Sequence, residues 1–438
     1  MSPNQHSTRP LRPIIAVLAA IAVAACSAKT PPTVAPTAAA VPPSPLTSDS
    51  VQSFADAGLV VGRSGDAGLQ LILASSGERI MTLPLGVPGQ NWSHVVSTDV
   101  TGASTTIRDL RLPEAESSSQ TIDGTWRLPT VGLDPTPVGI SQDGQTVVLV
   151  QDGATAGKSR FAIVDRTGVA PPRVVELAGS FEYDALSPDG SILYTVEHLA
   201  GPPDGHYQVR ALDTATGVVR DGPVADKNQG DEAMAGWPIA QARGPDGMVF
   251  TLYRGAEHPF IHALNSIDAW ALCIDLPTTG GNDPAPASDW GLTSTIDGRS
   301  IVAANATLGL AVSIPVADLA VRRSVTFAPS ASKAVSLAKF GHDAPGETGR
   351  RVVASPTGSV IYAAGPGGIV SIATSDLALK GRFLEGVPVD AMAVTDGGTI
   401  YALIHSGGRI VRLNGATGGI VGEVPGDGYD RLAAVVPW

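Results

Sequence analysis

The sequence predicts an all-β protein folded as a β-propeller, in which four-stranded antiparallel blades stack around a central axis. Two patterns predict this fold: a turn-and-strand unit recurs along most of the chain, and its strands are apolar along nearly their whole length. Composition agrees, because 43% of the 438 residues are hydrophobic and only 16% are charged, with 50 glycines and 35 prolines. Such a turn-rich chain with a large core suits many short strands better than helices.

The recurring unit is clearest at residues 187–196, which read SPDGSILYTV. Pro188 presets φ for the first central position of a turn, and Gly190 can take the positive φ that other residues adopt with strain. We therefore expect a hairpin turn with a one-residue bulge, followed by a strand. Related stretches begin at 141, 244, 295, 355 and 395, and they read SQDGQTVVLV, GPDGMVFTLY, TIDGRSIVAA, SPTGSVIYAA and TDGGTIYALI.

The strands that follow these turns are almost continuous in β-branched and aromatic residues, as in VVLV at 147–150. Such strands are covered on both faces, and blades stacked around an axis cover both faces of every blade. The turns are separated by about 40 to 60 residues, which suits one blade each. The predicted turn positions are Gly102, Gly144, Gly190, Gly247, Gly298, Gly358 and Gly397.

The two ends of the propeller region are complementary. Residues 59–86 predict three strands without an innermost one, and the C-terminal YDRLAAVVPW predicts an innermost strand with nothing after it. We expect the C-terminal strand to pair into the first blade and close the ring. Eight blades are predicted; seven is the alternative, because the units around 92–131 and 331–350 are irregular. Separate β-sandwiches are the other alternative, although no linker interrupts the spacing.

Some blades share a second motif before their outer strand. Residues 213–217 read DTATG and residues 414–418 read NGATG. This motif resembles the YVTN-type propeller repeat, whose unit ends in D-x-A-T-G, and the second copy departs from it with Asn in place of Asp. The wider group includes lactonase-like propellers. The architecture would be WD40-like, but the tryptophan signatures of WD40 and quinoprotein propellers are absent from the sequence.

The N-terminus has the features of an export signal. Arg9 and Arg12 form a basic region, and the apolar run at 14–25 is too short for a stable membrane span. It ends in Val-Ala-Ala-Cys at 23–26. This resembles the lipobox of bacterial lipoproteins, which implies cleavage before Cys26, a diacylglycerol on its thiol, and palmitate-like chains that anchor the protein to a membrane.

Three parts are therefore predicted: a signal peptide at 1–25, a tether at 26–53 and the propeller at 54–438. Pro, Ala, Thr and Ser dominate the tether, so it cannot bury enough apolar surface to offset its ordering entropy. We expect an exported monomer, held by its lipid on the outer face of the bacterial cytoplasmic membrane or on the periplasmic side of an envelope membrane. The net charge of −12 argues against a nucleic-acid partner.

The predicted binding site lies on three consecutive long connections between blades, at 222–237, 277–290 and 330–350. Function tends to sit on long loops held by a rigid scaffold, and consecutive blades are neighbours, so these loops should cluster. Solvated loops without a ligand are the alternative interpretation. The predicted ligand-binding residues are Asp226, Lys227, Glu232, Asp283, Asp289, His342, Asp343 and Glu347.

Two functions fit this organisation, with a role in envelope assembly or export as a third. The first is a binding or scaffold module for an envelope protein, a glycan or a small ligand. The second is an enzyme, because lactonases and lyases of related propellers set carboxylates, His and Arg at the channel mouth. Catalysis would require His342 and Glu232 to converge within about 8 Å. The catalytic candidates are Asp226, Glu232, His342 and Arg350.

No motif in the sequence predicts a cofactor or a metal site. The patterns HExxH, GxSxG and GxGxxG are absent. His258 and His262 are four residues apart, but on the expected strand they would lie about 13 Å from each other. That distance is too large for joint ligation of one ion, and no acidic run has the spacing of a calcium loop.

Overall fold

A computed structural model gives the fold of most of the predicted propeller. The described residues form 31 β-strands and contain no α-helix. The predicted signal peptide, tether and lipidation site at Cys26 lie outside them. In this part of the chain, no helix is long and apolar enough to cross a membrane. The described ranges are 57–63, 68–89, 92–112, 116–132, 138–152, 157–199, 206–224, 234–255, 258–278, 289–329 and 350–437.

The first three sheets each contain four antiparallel strands, and the chain's last strand belongs to the first of them. The first sheet holds β1 (Ala57–Arg63), β2 (Gly68–Leu73), β3 (Arg79–Pro84) and β31 (Tyr429–Pro437); the second holds β4 (Gly86–Pro88), β5 (His94–Thr101), β6 (Ser104–Arg111) and β7 (Glu116–Asp123); the third holds β8 (Trp126–Arg127), β9 (Thr146–Gln151), β10 (Lys158–Asp165) and β11 (Arg173–Ala178).

The next sheet has seven strands and divides into two parts. Its strands are β12 (Ser180–Leu186), β13 (Ile192–His198), β14 (His206–Asp213), β15 (Met234–Arg243), β16 (Met248–Gly255), β17 (Pro259–Asn265) and β18 (Trp270–Asp275). Only two residue pairs, His206–Ala235 and Tyr207–Met234, join β14 to β15. An isolated bridge between Leu212 and Val219 supplies the fourth strand position of the first part.

The last three sheets again have four antiparallel strands each, in chain order. They are β19 (Gly291–Ser294), β20 (Ser300–Asn305), β21 (Leu310–Pro315) and β22 (Arg323–Thr326); β23 (Val352–Ala354), β24 (Val360–Gly365), β25 (Gly368–Ala373) and β26 (Leu379–Phe383); β27 (Val389–Val394), β28 (Thr399–Ile404), β29 (Arg409–Asn414) and β30 (Ile420–Glu423). Second and third strands such as β28 and β25 are buried at every residue, as expected for sheets covered on both faces.

The C-terminal strand pairs with the first strand of the chain. β31 runs antiparallel to β1, from the Ala57–Pro437 pair to the Arg63–Tyr429 pair. Each sheet contacts the next in chain order, and β27 of the last sheet contacts β31 of the first. The apolar side chains of neighbouring sheets meet in these contacts; Leu59 of β1, for example, packs in one cluster with Leu403 of β28. The number of blades, eight or seven, stays a prediction.

The recurring turn is held by its own side chains. The Ser187 hydroxyl donates to the Asp189 carboxylate at 2.7 Å, and the Ser191 N–H donates to the same oxygen at 3.0 Å. These bonds, the Ser191 N–H first, hold the pKa of Asp189 below its ordinary value. Gly190 follows with φ of 70°. Asp189 is therefore a turn residue, whose side chain replaces a backbone hydrogen-bond partner.

The tyrosine of the recurring unit connects neighbouring sheets. The Tyr194 hydroxyl donates to the Ser266 carbonyl at 3.0 Å, and the Tyr362 hydroxyl donates to the Gly415 carbonyl at 2.9 Å. In both cases the acceptor lies in the turn between the third and fourth strands of the following unit. A side chain in the motif therefore satisfies a carbonyl of the next unit.

The predicted hairpin turn at Gly102 is confirmed, but its place in the unit differs from the other turns. It does not follow the innermost strand of its sheet, because it lies between β5 and β6, where Thr101 pairs with Ser104. The innermost strand of this sheet is β4, which pairs with β5 through Pro88 and Val95. The second and third strands of this unit are long, at eight residues each, so the turn at their far end resembled an inner hairpin.

Candidate functional site

Most of the predicted site residues lie outside the described ranges. Only two fall within them, so the expected clustering of the three long connections stays a prediction, as does the convergence of His342 with Glu232. The predicted residues outside the described ranges are Asp226, Lys227, Glu232, Asp283, His342, Asp343 and Glu347.

The two described residues, Asp289 and Arg350, are not brought together as a pair. Asp289 is 6% exposed and accepts hydrogen bonds on both carboxylate oxygens, from Arg351 at 2.8 Å and from Thr307 at 2.7 Å. Arg350 is exposed, and its carbonyl accepts the N–H of Met392 at 3.0 Å. The Asp289 carboxylate is therefore occupied by contacts within the protein.

A pocket lies where the ends of four strands meet. Ser180 of β12, His198 of β13, Tyr207 of β14 and Met234 of β15 form one row of paired residues across the seven-stranded sheet. The row marks an edge of the sheet, and β15 begins inside the first predicted long connection, 222–237.

The pocket has a volume of about 30 Å³, which leaves room for about two water-sized groups. Its walls come from residues 130–132 and from the five strands β12 to β16. We call it the Asp184 pocket, after the most buried acid in its lining. Its polar side chains are Thr130, Glu182, Tyr183, Asp184, His198, Tyr207 and Tyr253.

Asp184 reaches the pocket because β12 has a bulge there. Tyr183 pairs with Thr195 and Ala185 pairs with Tyr194, which leaves Asp184 without a partner across the strand pair. Bulges re-aim a side chain in this way and are common next to binding sites. With regular pairing along β12, the Asp184 side chain would not face the pocket; the bulge places it there.

The Asp184 carboxyl is buried and only partly hydrogen-bonded. The residue is 2% exposed, and its Oδ2 has no hydrogen-bond partner among the described residues. Burial raises the pKa of Asp184 to about 7, and a hydrogen bond from the Thr251 hydroxyl opposes this shift. Gln241 orients that hydroxyl, because its amide Nε2 donates to Thr251 at 3.0 Å and to the Asp184 carbonyl at 3.1 Å.

A second acid at the pocket, Glu182, lies beside a histidine. Oε2 of Glu182 lies 3.3 Å from Nε2 of His198, whose ring centroid is 6.3 Å from that of Trp237. The Glu182 side chain is 65% exposed, whereas the His198 side chain is 21% exposed. This pair therefore sits nearer the solvent than Asp184.

Stacked aromatic rings form the inner wall. The rings of Tyr207 and Tyr253 are 5.0 Å apart, and those of Tyr253 and Phe260 are 5.2 Å apart. Tyr207 is 1% exposed, and its hydroxyl interacts with that of Tyr253. Burial raises the pKa of both tyrosines well above the ordinary value, so both are neutral.

The predicted strand placement is confirmed for His262, and His258 lies just outside that strand. His262 lies inside β17 and is fully buried, while His258 precedes that strand and pairs with Asp275 at 2.8 Å. Across the described ranges, no group of three or more His, Cys, Asp or Glu side chains is placed to hold a metal ion.

Sequence reasoning missed the Asp184 pocket because it treated the strands of the repeat as scaffold. One signal was present: β12 reads SFEYDAL, with two acids in a strand where other innermost strands carry mostly apolar residues. Glu182 and Asp184 could have been recognised from that contrast. Their connection to Tyr207 and Tyr253 could not, because those residues lie on β14 and β16.

No protein-family model matches this chain, and no curated protein sequence matches it. Solved structures do resemble it. The structure of apo AztD from Citrobacter koseri has 12% identity and a TM-score of 0.54, covering 87% of this chain and 97% of that one. Dihydro-heme d1 dehydrogenase NirN in complex with DHE has 14% identity and a TM-score of 0.52, covering 87% of this chain and 75% of that one.

These similar structures are β-propellers, and so is this protein. Identities of this size carry information about the fold alone. Because one fold supports unrelated functions, the function has to be inferred from the pocket and its residues. The finer resemblance to YVTN-type lipoproteins stays a prediction.

Proposed function

We propose that this protein is an exported, lipid-anchored propeller that binds a small ligand, or a small group of a larger envelope component, in the Asp184 pocket. The observation that carries the proposal is a buried polar atom, Oδ2 of Asp184, that faces the pocket without a hydrogen-bond partner among the described residues. Buried polar atoms are almost always hydrogen-bonded. A bound ligand would supply the missing partner.

The competing explanation is ordered water, which commonly satisfies buried polar groups. Water alone requires no opening to solvent, whereas the Asp184 pocket has exposed residues in its lining, among them Thr130. Its lining also includes Gly236, which belongs to the first predicted long connection. Both observations support a site that exchanges ligands.

The pocket can be tested by closing it. Thr130 is exposed at its edge, so Thr130→Trp should cover the opening without disturbing the core. The matched control is Thr101→Trp, at an exposed position of β5 outside the lining. Thermal-shift assays would use a panel of small amines, carboxylates, polyols and neutral alcohols. Stabilisation by at least one probe that Thr130→Trp removes and Thr101→Trp keeps is expected; probes that act equally on both variants would contradict the proposal.

The lipid anchor is supported by the basic region, the apolar run and the Val-Ala-Ala-Cys sequence ending at Cys26. In cells fed labelled palmitate, the wild-type protein should carry label and sediment with membranes. Cys26→Ser should lose the label and leave the membrane fraction, because one thiol holds the anchor. Label that persists in Cys26→Ser would exclude this anchor.

A larger envelope partner would present its group to the same pocket. Crosslinking and pull-down from intact cells, with wild type beside Thr130→Trp, tests this directly. A protein or glycan captured by the wild type but lost from Thr130→Trp would belong to the pocket. Deleting residues 331–347 tests the predicted loop face separately; capture should fall while the melting temperature stays almost unchanged.

An enzyme is the second candidate function, and one observation favours it. Three titratable groups, those of Glu182, Asp184 and His198, line a single pocket, and a carboxyl with a pKa raised to about 7 suits general acid–base catalysis. Purified protein should then hydrolyse or eliminate a lactone or uronate probe, and Asp184→Asn should abolish that turnover. Turnover that survives Asp184→Asn would exclude this pocket as the active site.

A further inference from the structure

We propose that the Asp184 pocket selects a primary ammonium group, with Oδ2 of Asp184 as the acceptor that binds it. This inference rests on the proposed binding function and names the chemical class of its ligand. It is carried by the geometry of the pocket: a buried carboxylate oxygen without a partner, an adjacent buried hydroxyl, and acidic groups at the opening.

The charge of the lining favours a cation. Glu182 and Asp184 are its acids, and no Lys or Arg is among its lining residues. Arg243 of β15 is not a lining residue; it donates to the Ile140 carbonyl at 3.1 Å, although its charge still acts on Tyr183. An anionic ligand would meet two carboxylates, whereas a cation would compensate the buried one.

The hydrogen-bonding requirement selects a donor. Thr251 already donates to the Asp184 carboxyl, so the remaining oxygen needs one more hydrogen. The Tyr207 hydroxyl can accept a second hydrogen from the same ligand. A primary ammonium offers three N–H donors and no acceptor. A neutral polyol would supply donors but would leave the buried carboxylate without a counter-charge.

The aromatic wall restricts what enters. Tyr253 is stacked between Tyr207 and Phe260, so its two ring faces are covered and no open face is available for a bulky cation. The narrow interior therefore suits an ammonium group on an alkyl chain. A trimethylated ammonium is larger and lacks N–H donors, so we expect it to bind more weakly.

Proton release accompanies this binding. Burial raises the pKa of Asp184 to about 7, and a bound cation favours the ionised carboxylate. Affinity should therefore rise as pH increases through 7 and level off above it. The titratable groups around Asp184 are Glu182, Tyr183, Tyr194, His198, Tyr207, Arg243 and Tyr253.

Titration calorimetry with n-butylammonium between pH 5.5 and 8.5 tests the proposal. Asp184→Asn should weaken binding at pH 8 by at least about tenfold and should remove most of the pH dependence. Tyr207→Phe should weaken it less and keep the pH dependence. The matched control is Asp390→Asn, because Asp390 also occupies a bulge of an innermost strand, β27, but pairs with His405 at 3.0 Å. Circular dichroism would confirm that each variant is folded.

Three results would overturn the ammonium assignment: 1-butanol binding as tightly as n-butylammonium, butyltrimethylammonium binding as tightly, or Asp184→Asn leaving both affinity and pH profile unchanged. A blocked lysine, Nα-acetyl-lysine methylamide, identifies the source. Tighter binding of the blocked lysine supports a protein-borne ammonium, and tighter binding of n-butylammonium supports a free amine.

The experiment also separates this inference from the proposed function. If Thr130→Trp abolishes the effect of another probe class while n-butylammonium does not bind the wild type, the pocket binds ligands but the ammonium assignment fails. If no probe depends on the pocket, both fail.

Discussion

The guanidinium of Arg351 donates to the carboxylate of Asp289 at 2.8 Å, and this ion pair joins the starts of two neighbouring sheets. Asp289 lies just before β19, and Arg351 immediately precedes β23. The two side chains are 7% and 12% exposed. Sequence analysis selected Asp289 as a ligand-binding residue, and that role stays a prediction; in the structure its contacts with Arg351 and Thr307 join two sheets.

Breaking this pair should destabilise the fold. Asp289→Ala leaves a buried guanidinium without its counter-charge, so the free energy of unfolding should fall by about 3–5 kcal/mol. Asp289→Asn keeps one side-chain oxygen that can accept a hydrogen bond, so the free energy of unfolding should fall by less. Chemical denaturation monitored by tryptophan fluorescence measures both. Equal stability of Asp289→Ala and wild type would show that the pair contributes nothing.

Stability should depend on pH through Asp184. Its pKa is about 7 in the folded protein and near 3.8 when unfolded, so the folded state binds more protons between those values and stability is lost as pH rises through this range. Asp184→Asn removes the cost of ionising a buried acid. The variant should match the wild type near pH 4 and exceed it by about 4 kcal/mol above pH 7. A pH-independent difference would contradict the assignment to Asp184.

Substitutions at two glycines of the recurring turn distinguish the cost of a left-handed backbone from the cost of a steric clash. Gly144 and Gly190 have φ of 72° and 70°. A Cβ at Gly144 would meet nothing within 4 Å, whereas one at Gly190 would lie 2.2 Å from the Thr146 hydroxyl oxygen. Gly144→Ala should therefore cost about 1 kcal/mol for the left-handed backbone, and Gly190→Ala distinctly more. Thermal denaturation measures both; similar losses would show that Thr146 moves aside freely.

The motif tyrosines should stabilise the contact between neighbouring sheets. Tyr194→Phe leaves the Ser266 carbonyl without its donor, and Tyr362→Phe does the same to the Gly415 carbonyl. Each substitution should cost about 1 kcal/mol, the usual contribution of one hydrogen bond. Denaturation midpoints of the two variants, compared with wild type, check this. If Tyr194→Phe lowers the stability and Tyr362→Phe does not, the two tyrosines do not share a stabilising role.

The fold class was predictable because its determinants are local. Asp189 and its two serine partners form a turn within five residues, so the same short stretch gives the same turn wherever it recurs. The D-x-A-T-G turn is equally local: Asp213 accepts the Thr216 N–H at 2.8 Å, and Asn414 accepts the Thr417 N–H at 3.0 Å. The turn keeps this hydrogen bond when Asn stands in place of Asp, because either side chain supplies the accepting oxygen.

Local patterns were less reliable where a unit departs from the common strand lengths. The turn at Gly102 has the same positive φ as the inner hairpins, but the long strands on either side make it the turn between second and third strands. Its position depends on which strand pairs with β5, and β4 supplies that partner with only three residues.

The sequence by itself determined that this protein is an all-β propeller, since hairpin turns and doubly covered strands are specified by residues close together in the chain. Only the tertiary structure decided which polar residues meet. Asp184 and Tyr207 lie on different strands, and their pocket exists because paired strand ends converge at one edge. Asp289 and Arg351 are 62 residues apart. Sequence spacing shows which side chains are available, but burial and strand pairing decide which of them remain free to bind.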